Sequence, residues 1–315
     1  MSIHKSYKIL ITGSSGFIGK NLIKYLKQFD LDIIEIRSSD FNLSKEEDII
    51  NLFKKFKNIS CIINLAADVG GISEIKKNHG RIIYNNIMIN TLLLENARKN
   101  NVKKFINLNT INAYADSKFK LKESELWNGF PNNDIFSYGI SKRLAIAQSM
   151  AYSIQFGFNT ITLVVDNTYG PYDNFNPKDS RVIPALIRKF HNAKINNEKV
   201  VEVWGSGRSV RQFLFVKDLI KIIYSLLDNN INTNLVLNIS NGENISIKDL
   251  SYKISSILNF KGKIEFNSNK PEGSKLRIMD NSLMKKNIDF DSFTSIDNGL
   301  IETIMWYKKI INYEY

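Results

Sequence analysis

Thr12-Gly13-Ser14-Ser15-Gly16-Phe17-Ile18-Gly19 decides the fold. Its glycines recur as G-x-x-G-x-x-G between an apolar run, Tyr7 to Thr12, and an amphipathic stretch, Phe17 to Phe29, with apolar positions at Ile18, Leu22, Ile23 and Leu26. A strand entering a helix through such a loop marks a dinucleotide-binding βα unit. Gly13 permits the tight turn, Gly16 lets the backbone approach a pyrophosphate, and Gly19 lets helix and strand pack closely. Ser14, Ser15 and the backbone at Phe17 and Ile18 then form an anion cradle at the helix N-terminus.

Outward from this loop the pattern repeats. Strands are expected at Asp32 to Ile36, Ser60 to Leu65, Phe105 to Leu108 and Asn159 to Val165. Helices are expected at Lys45 to Phe56, within Arg81 to Lys99, and at Ser137 to Phe156. Near-continuous apolar strands alternating with helices imply a parallel sheet covered on both faces, an α/β Rossmann-type doubly wound fold. After Gly170 the spacing becomes irregular, with helices expected at Val182 to Ala193, Val216 to Leu227, Ile247 to Leu258 and Ile296 to Tyr313. We therefore expect a dinucleotide domain over 1–170 and a smaller α/β lobe over 171–315, with some chain returning to the first domain.

Composition excludes several classes. At 43% hydrophobic and 11% aromatic, the 315-residue chain is not a largely disordered one. A single cysteine, Cys61, and three scattered histidines exclude a disulfide framework and leave no metal centre to expect. No apolar run reaches the roughly 18 residues that span a bilayer. Met1-Ser2-Ile3-His4-Lys5 lacks a signal peptide's apolar region, so a reducing, cytoplasmic setting is the expectation. The net charge of +12 would suit nucleic acid, an anionic membrane or an anionic small substrate. No basic stripe with interleaved aromatics appears, which favours the small substrate over nucleic acid or membrane.

The tip of the second strand reads Ile36-Arg37-Ser38-Ser39. NAD recognition uses an acidic residue there to bond the ribose 2′-hydroxyl. Arg37, with Ser38 beside it, suits the 2′-phosphate of NADP instead. Further on, Tyr138-Gly139-Ile140-Ser141-Lys142 places a tyrosine and a lysine on one helical face. A lysine cation beside the phenol is expected to lower its pKa, making Tyr138 a proton donor or acceptor near neutral pH. Thr110, at the end of the fourth strand, brings a hydroxyl to the same sheet edge.

These residues, with Asn64-Leu65-Ala66-Ala67, resemble the extended short-chain dehydrogenases/reductases. Longer stretches are similar to the GDP-L-fucose synthase family: Val69-Gly70-Gly71-Ile72, Tyr169 to Phe175, Val182 to His191, Trp204-Gly205-Ser206-Gly207 and Lys270-Pro271-Glu272-Gly273. The resemblance covers nearly the whole chain. It implies NADP held by the glycine loop, Arg37, Ser38, Leu65, Ala66 and Ala67. It implies catalysis by Thr110, Tyr138 and Lys142, with the last two also touching the cofactor. It implies a GDP-linked 4-keto sugar held by Asn167, Lys189, Trp204, Arg211 and Glu272, and a homodimer built on the helices flanking the fourth strand.

One departure matters. The family places an epimerase cysteine two residues after the catalytic Ser/Thr, and a histidine just before the V-I-P-A-L stretch; here the residues are Asn112 and Arg181. Neither has a pKa suited to general acid–base work. The leading expectation is an NADPH-dependent C4-reductase without 3,5-epimerase activity, similar to the GDP-4-keto-heptose reductases of capsule synthesis. Two alternatives stay open. One is a bifunctional epimerase/reductase using Asp166 or Asp68; the other is a non-catalytic NADP-binding regulator.

Overall fold

In a computed structural model, residues 7–117, 119–227, 234–270, 272, 274–290 and 292–311 are described. Met1 to Lys5, Pro271, Gly273 and residues 312–313 of the expected last helix lie outside them. The first half runs β1 (Lys8–Thr12), α1 (Phe17–Leu26), β2 (Asp32–Ile36), α2 (Glu46–Lys55), β3 (Cys61–Asn64), α3 (Ile72–Lys77), α4 (His79–Lys99), β4 (Lys104–Thr110), α5 (Phe136–Phe156) and β5 (Thr160–Val165). The second half runs β6 (Asn167–Tyr169), α6 (Val182–Ile195), β7 (Val200–Trp204), β8 (Val210–Arg211), β9 (Phe213–Phe215), α7 (Val216–Ser225), β10 (Leu235–Ile239), β11 (Ile245–Ser246), α8 (Ile247–Leu258), β12 (Lys263–Asn267), β13 (Leu276–Arg277), α9 (Ser282–Asn287) and α10 (Ile296–Ile311).

Six strands form one parallel sheet in the order β10-β5-β4-β3-β1-β2. The order reverses between β1 and β3, and ligands of such sheets bind outside the carboxyl ends at that point. The strands are buried on both faces because helices cover both. Ile9, Ile11, Ile63 and Leu163 pack with α1 and α7 residues on one side. Leu10, Ile62 and Phe105 pack with α2 and α4 residues on the other. α6, α8 and α10 enclose a separate core around Ile187, Phe190, Leu250 and Ile304.

A buried polar ladder crosses the sheet into α4 and α5. Thr12 Oγ1 donates to Asn64 Oδ1 (2.8 Å), Asn64 to Asn107 (3.3 Å), Asn107 to Asn90 (2.8 Å) and Asn90 to Gln148 (2.7 Å). Each amide is spent on the next, so no buried polar group along this line goes unpaired.

The expected strands and long helices of the first half are present, with shifted ends. The helix expected to reach Phe29 stops at Leu26, where the chain tightens and Phe29 turns to stack on Tyr224 of α7 at 4.4 Å. α7 packs on α1, and β10 pairs with β5 as the sixth strand of the sheet. No helix among the described residues is long and apolar enough to cross a membrane.

Candidate active site

The switch point is fixed by Thr12. Its hydroxyl donates to Asn64 and accepts from Leu65 N and Ala66 N, both at 3.2 Å. Ser14 then turns back to β2, its N–H and Oγ donating to the Ile36 carbonyl at 3.2 and 2.9 Å. Gly13 adopts φ +65, and a Cβ there would lie 3.0 Å from Ala66 N. A Cβ on Gly19 would lie 2.8 Å from the Ser14 backbone, so loop and helix touch with no side chain between them. Gly16 starts α1 with no side-chain cap and no acidic residue in the first turn. A helix of ten residues with open N–H groups and an empty-sided glycine cradle fits a pyrophosphate.

At the tip of β2, Arg37 is exposed, and its guanidinium reaches Glu35 at 3.7 Å. Asp40, the nearest carboxylate beyond the tip, accepts the Arg37 backbone N–H at 3.0 Å. The acidic residue is thereby engaged with backbone, and the arginine presents donors to solvent beside Ser38.

Three bonds staple α5 to the end of β4. Asn109 Nδ2 donates to the Lys142 carbonyl (2.8 Å), Lys142 Nζ to the Leu108 carbonyl (3.0 Å), and Arg143 Nε to the Ala113 carbonyl (2.5 Å). Tyr138 and Thr110 are thus held on neighbouring elements. Thr110 Oγ1 accepts from Asn112 N at 3.3 Å, which caps the short turn of residues 111–113. Accepting with its lone pair leaves the hydroxyl hydrogen free to donate to a ligand oxygen.

One expectation fails here. Lys142 lies 5.8 Å from the centre of the Tyr138 ring, with its amine turned to the Leu108 carbonyl. Burial pushes the amine down to about 8 and the Tyr138 phenol up to about 12. Desolvation is the first cause for both groups, which are 8% and 7% exposed. The charge of Arg181 offsets only part of that rise in the phenol. Tyr138 is therefore a protonated phenol at neutral pH, the form that gives a proton.

On α6, Lys189 donates to the Glu202 carbonyl (3.0 Å) and sits 5.2 Å from the exposed Trp204 ring, with Lys270 at 5.9 Å from the same ring. Asn167 Nδ2 is bonded to Asp166 Oδ1 and to the Gln212 carbonyl. Glu272 accepts from Ser206 N, Ser206 Oγ and Ser209 Oγ at 2.8 to 3.1 Å, so its carboxylate ties down the turn after Trp204. Of the two replaced positions, Asn112 lies in the turn beside Thr110, and Arg181 starts α6. Asp166 is buried under this region, bonded to Asn167 and Ser240, with burial pushing its carboxyl up to about 7. Asp68 accepts from Asn85 at 2.7 Å and faces Arg81 at 3.5 Å.

The sequence reading missed Arg277. It pairs in register with Arg211 across β13 and β8, its Nη2 donates to the Ile111 carbonyl at 2.9 Å, and its Nη1 faces Asp116 at 3.2 Å. Its Nε is buried without a partner. Two adjacent arginines beside the turn of residues 111–113 are chemically suited to a doubly charged anion. Among the described residues no group of His, Cys, Asp or Glu side chains could hold a metal ion.

Residues 9–240 match the NAD dependent epimerase/dehydratase family, and the chain belongs to that family of extended short-chain oxidoreductases. Within it, the chain is 32% identical to GDP-L-fucose synthase 1 of Arabidopsis thaliana, over 97% of this chain and 94% of the relative. A GDP-6-OMe-4-keto-L-xylo-heptose reductase of Campylobacter jejuni superposes with a TM-score of 0.88 at 27% identity, covering 98% of this chain and 99% of that one. The GDP-mannoheptose C4 reductase of the same organism, solved with NADP bound, gives 0.87 at 28%, covering 98% and 100%.

Proposed function

We propose that this protein reduces the C4 ketone of a GDP-linked 4-keto sugar, a heptose or a 6-deoxyhexose, with NADPH and without 3,5-epimerisation, in bacterial surface polysaccharide synthesis. The carrying observation is the contrast within the site. Thr110, Tyr138 and Lys142 share one sheet edge, while positions 112 and 181 offer an amide and a guanidinium tied to Asp173 at 3.0 Å. Neither can abstract a carbon-bound proton.

NADPH, when bound, supplies the hydride. The glycine loop holds its pyrophosphate, Arg37 and Ser38 its 2′-phosphate, and Leu65 to Ala67 wall the crevice beside it. Thr110 donates to the ketone oxygen, Tyr138 gives that oxygen its proton, and Lys142 bonds the nicotinamide ribose. Trp204 and Lys189 flank the nucleotide, with Asn167 and the Arg211–Arg277 pair toward the diphosphate. α4 and α5 form the homodimer face, where Tyr84 and Ile154 stand exposed.

A panel of 4-keto nucleotide sugars assayed for NADPH loss tests the activity. Reduction in deuterated water tests the missing epimerase: label at C3 or C5 of the product would refute a pure reductase. It would favour the second reading, an epimerase/reductase that uses Asp166, whose raised carboxyl is suited to proton transfer near neutrality.

A further inference from the structure

We propose that Asp116 is a positioning residue for the reduction: with Arg277 it clasps together the turn after Thr110, the approach to α5 and the strand pair that carries Arg211, so that a nucleotide diphosphate held at Arg211 sets Thr110 and Tyr138 for the sugar. The role deepens the reductase reading and takes the tasks of Arg211, Thr110 and Tyr138 from it.

The Asp116 carboxylate is where three segments meet. Its Oδ1 accepts from Ser274 Oγ at 2.6 Å and from Arg277 Nη1 at 3.2 Å. Its Oδ2 accepts from Asn132 Nδ2 at 3.0 Å. Arg277, with a side chain 11% exposed, donates from Nη2 to the Ile111 carbonyl at 2.9 Å. That same carbonyl takes the Tyr114 N–H at 3.1 Å and so closes the turn of residues 111–113. Thr110 caps this turn by accepting the Asn112 N–H. One planar guanidinium therefore grips both the turn and the carboxylate that follows it, a fork that a lysine does not offer.

The second segment leads to Tyr138. Asn132 lies just before α5, and its carbonyl accepts the Ile135 N–H at 3.0 Å. Ala115, the neighbour of Asp116, pairs with Pro131 in an isolated antiparallel bridge. Pro131 lies against α5, where a Cβ on Gly139 would come within 2.8 Å of it. A shift of Asp116 is thus felt on both sides of the ketone's two partners.

The third segment has little backbone to hold it. β8 and β13 have two residues each, with Arg277 opposite Arg211. Val210 N–H donates to the Lys275 carbonyl at 2.9 Å, and Leu121 bonds Ile278 and Asp280 through its N–H and carbonyl at 2.9 and 2.8 Å. So short a pair is marginal by itself. The charge-assisted bonds from Ser274 and Arg277 to Asp116 decide where β13 sits against the turn. Asp116 is 46% exposed, so replacing it leaves the apolar core intact.

The test uses the full chain. Asp116→Ala removes the clasp, whereas Asp116→Asn keeps an acceptor for Ser274 and Arg277. Hydrogen exchange of the turn amides, Asn112 and Tyr114 above all, is followed with and without GDP, and ketone reduction is followed with NADPH. In the wild-type chain GDP slows exchange of the turn by about 10-fold or more. In Asp116→Ala that slowing is lost with GDP affinity within about threefold of wild type, and kcat falls by about 10–100-fold at little change in KM, the usual worth of a displaced reacting group. Asp116→Asn recovers the exchange response and kcat to within about threefold, since it lacks a single bond. A merely structural Asp116 would lower the urea midpoint and leave the exchange response to GDP in place. Turn amides that ignore GDP in the wild-type chain overturn the proposal. So does a response that survives in Asp116→Ala or is equally lost in Asp116→Asn, or an unchanged kcat in Asp116→Ala. A response lost in Asp116→Ala and regained in Asp116→Asn, in a protein that reduces no 4-keto sugar, supports the clasp and defeats the reductase reading instead.

Discussion

Replacing Lys142 by methionine should make the protein more stable and nearly inactive, and both effects follow from where the amine sits. Lys142 is 7% exposed and donates to the Leu108 carbonyl. The gap between its buried value of about 8 and its ordinary 10.5 amounts to a penalty of about 3 kcal/mol on the charged form. Methionine has similar length and no charge, so Lys142→Met removes that penalty. It also leaves the Leu108 carbonyl unpaired, at a cost of about 1–2 kcal/mol. The balance at pH 7 is about 1–2 kcal/mol in favour of the variant.

The pH dependence separates this account from ordinary repacking. Below pH 8 the lysine is charged in both folded and unfolded chains, and its destabilisation is fully present. Between pH 8 and 10.5 the unfolded chain holds the proton more tightly than the folded one, so the native protein gains stability as pH rises. The methionine variant lacks this gain. The difference between the two proteins should shrink by about 3 kcal/mol across that window and reverse sign at its end. Urea unfolding of both proteins at steps from pH 7 to 10.5 measures it. Parallel curves would refute a buried, destabilised ammonium. Turnover should fall by about 100-fold or more, the usual weight of a group that supports proton transfer.

Arg37→Ala should cut the preference for NADPH over NADH by about 10–100-fold in kcat/KM, the worth of a charge-assisted phosphate bond, with the urea midpoint unchanged because the side chain is exposed. Gly139→Ala places a methyl group 2.5 Å from the Asn112 carbonyl and 2.8 Å from Pro131; it should cost about 1–3 kcal/mol in urea unfolding and lower kcat by moving Tyr138 away from Thr110. A wild-type midpoint would show that α5 does not press on that turn. Cys61, fully buried with its thiol pushed up to about 12, should ignore Ellman's reagent in the native protein at pH 8 and react fully in urea.

The first half of the molecule was legible because its signals are local. Parallel strands buried on both faces leave unbroken apolar runs such as Ile9-Leu10-Ile11 and Ile62-Ile63, and the glycine loop needs only its neighbours in sequence. The short elements were not. α3 has six residues, and β8, β11 and β13 have two each, too few to show a period of either kind. Arg277 escaped for the same reason: it meets Arg211 through a two-residue pairing between segments 66 positions apart. A basic residue shortly after the Lys270–Glu272 stretch was the available signal, and only the pairing gives it meaning. The tyrosine–lysine spacing showed that the two side chains share a face. It could not show that a main-chain carbonyl would take the amine.

That last difference changes how the +12 charge is understood. Charge at this site works by where each cation is spent. Lys142 is bound to backbone and stripped of water, Arg277 is bound to the turn of residues 111–113 with one nitrogen left over, and Arg181 is held by a single buried carboxylate beside the glycine loop. A guanidinium keeps its charge across the whole range in which a buried amine gives up its proton. The arginines therefore hold a constant charge around the site, while the charge on Lys142 falls away above about pH 8.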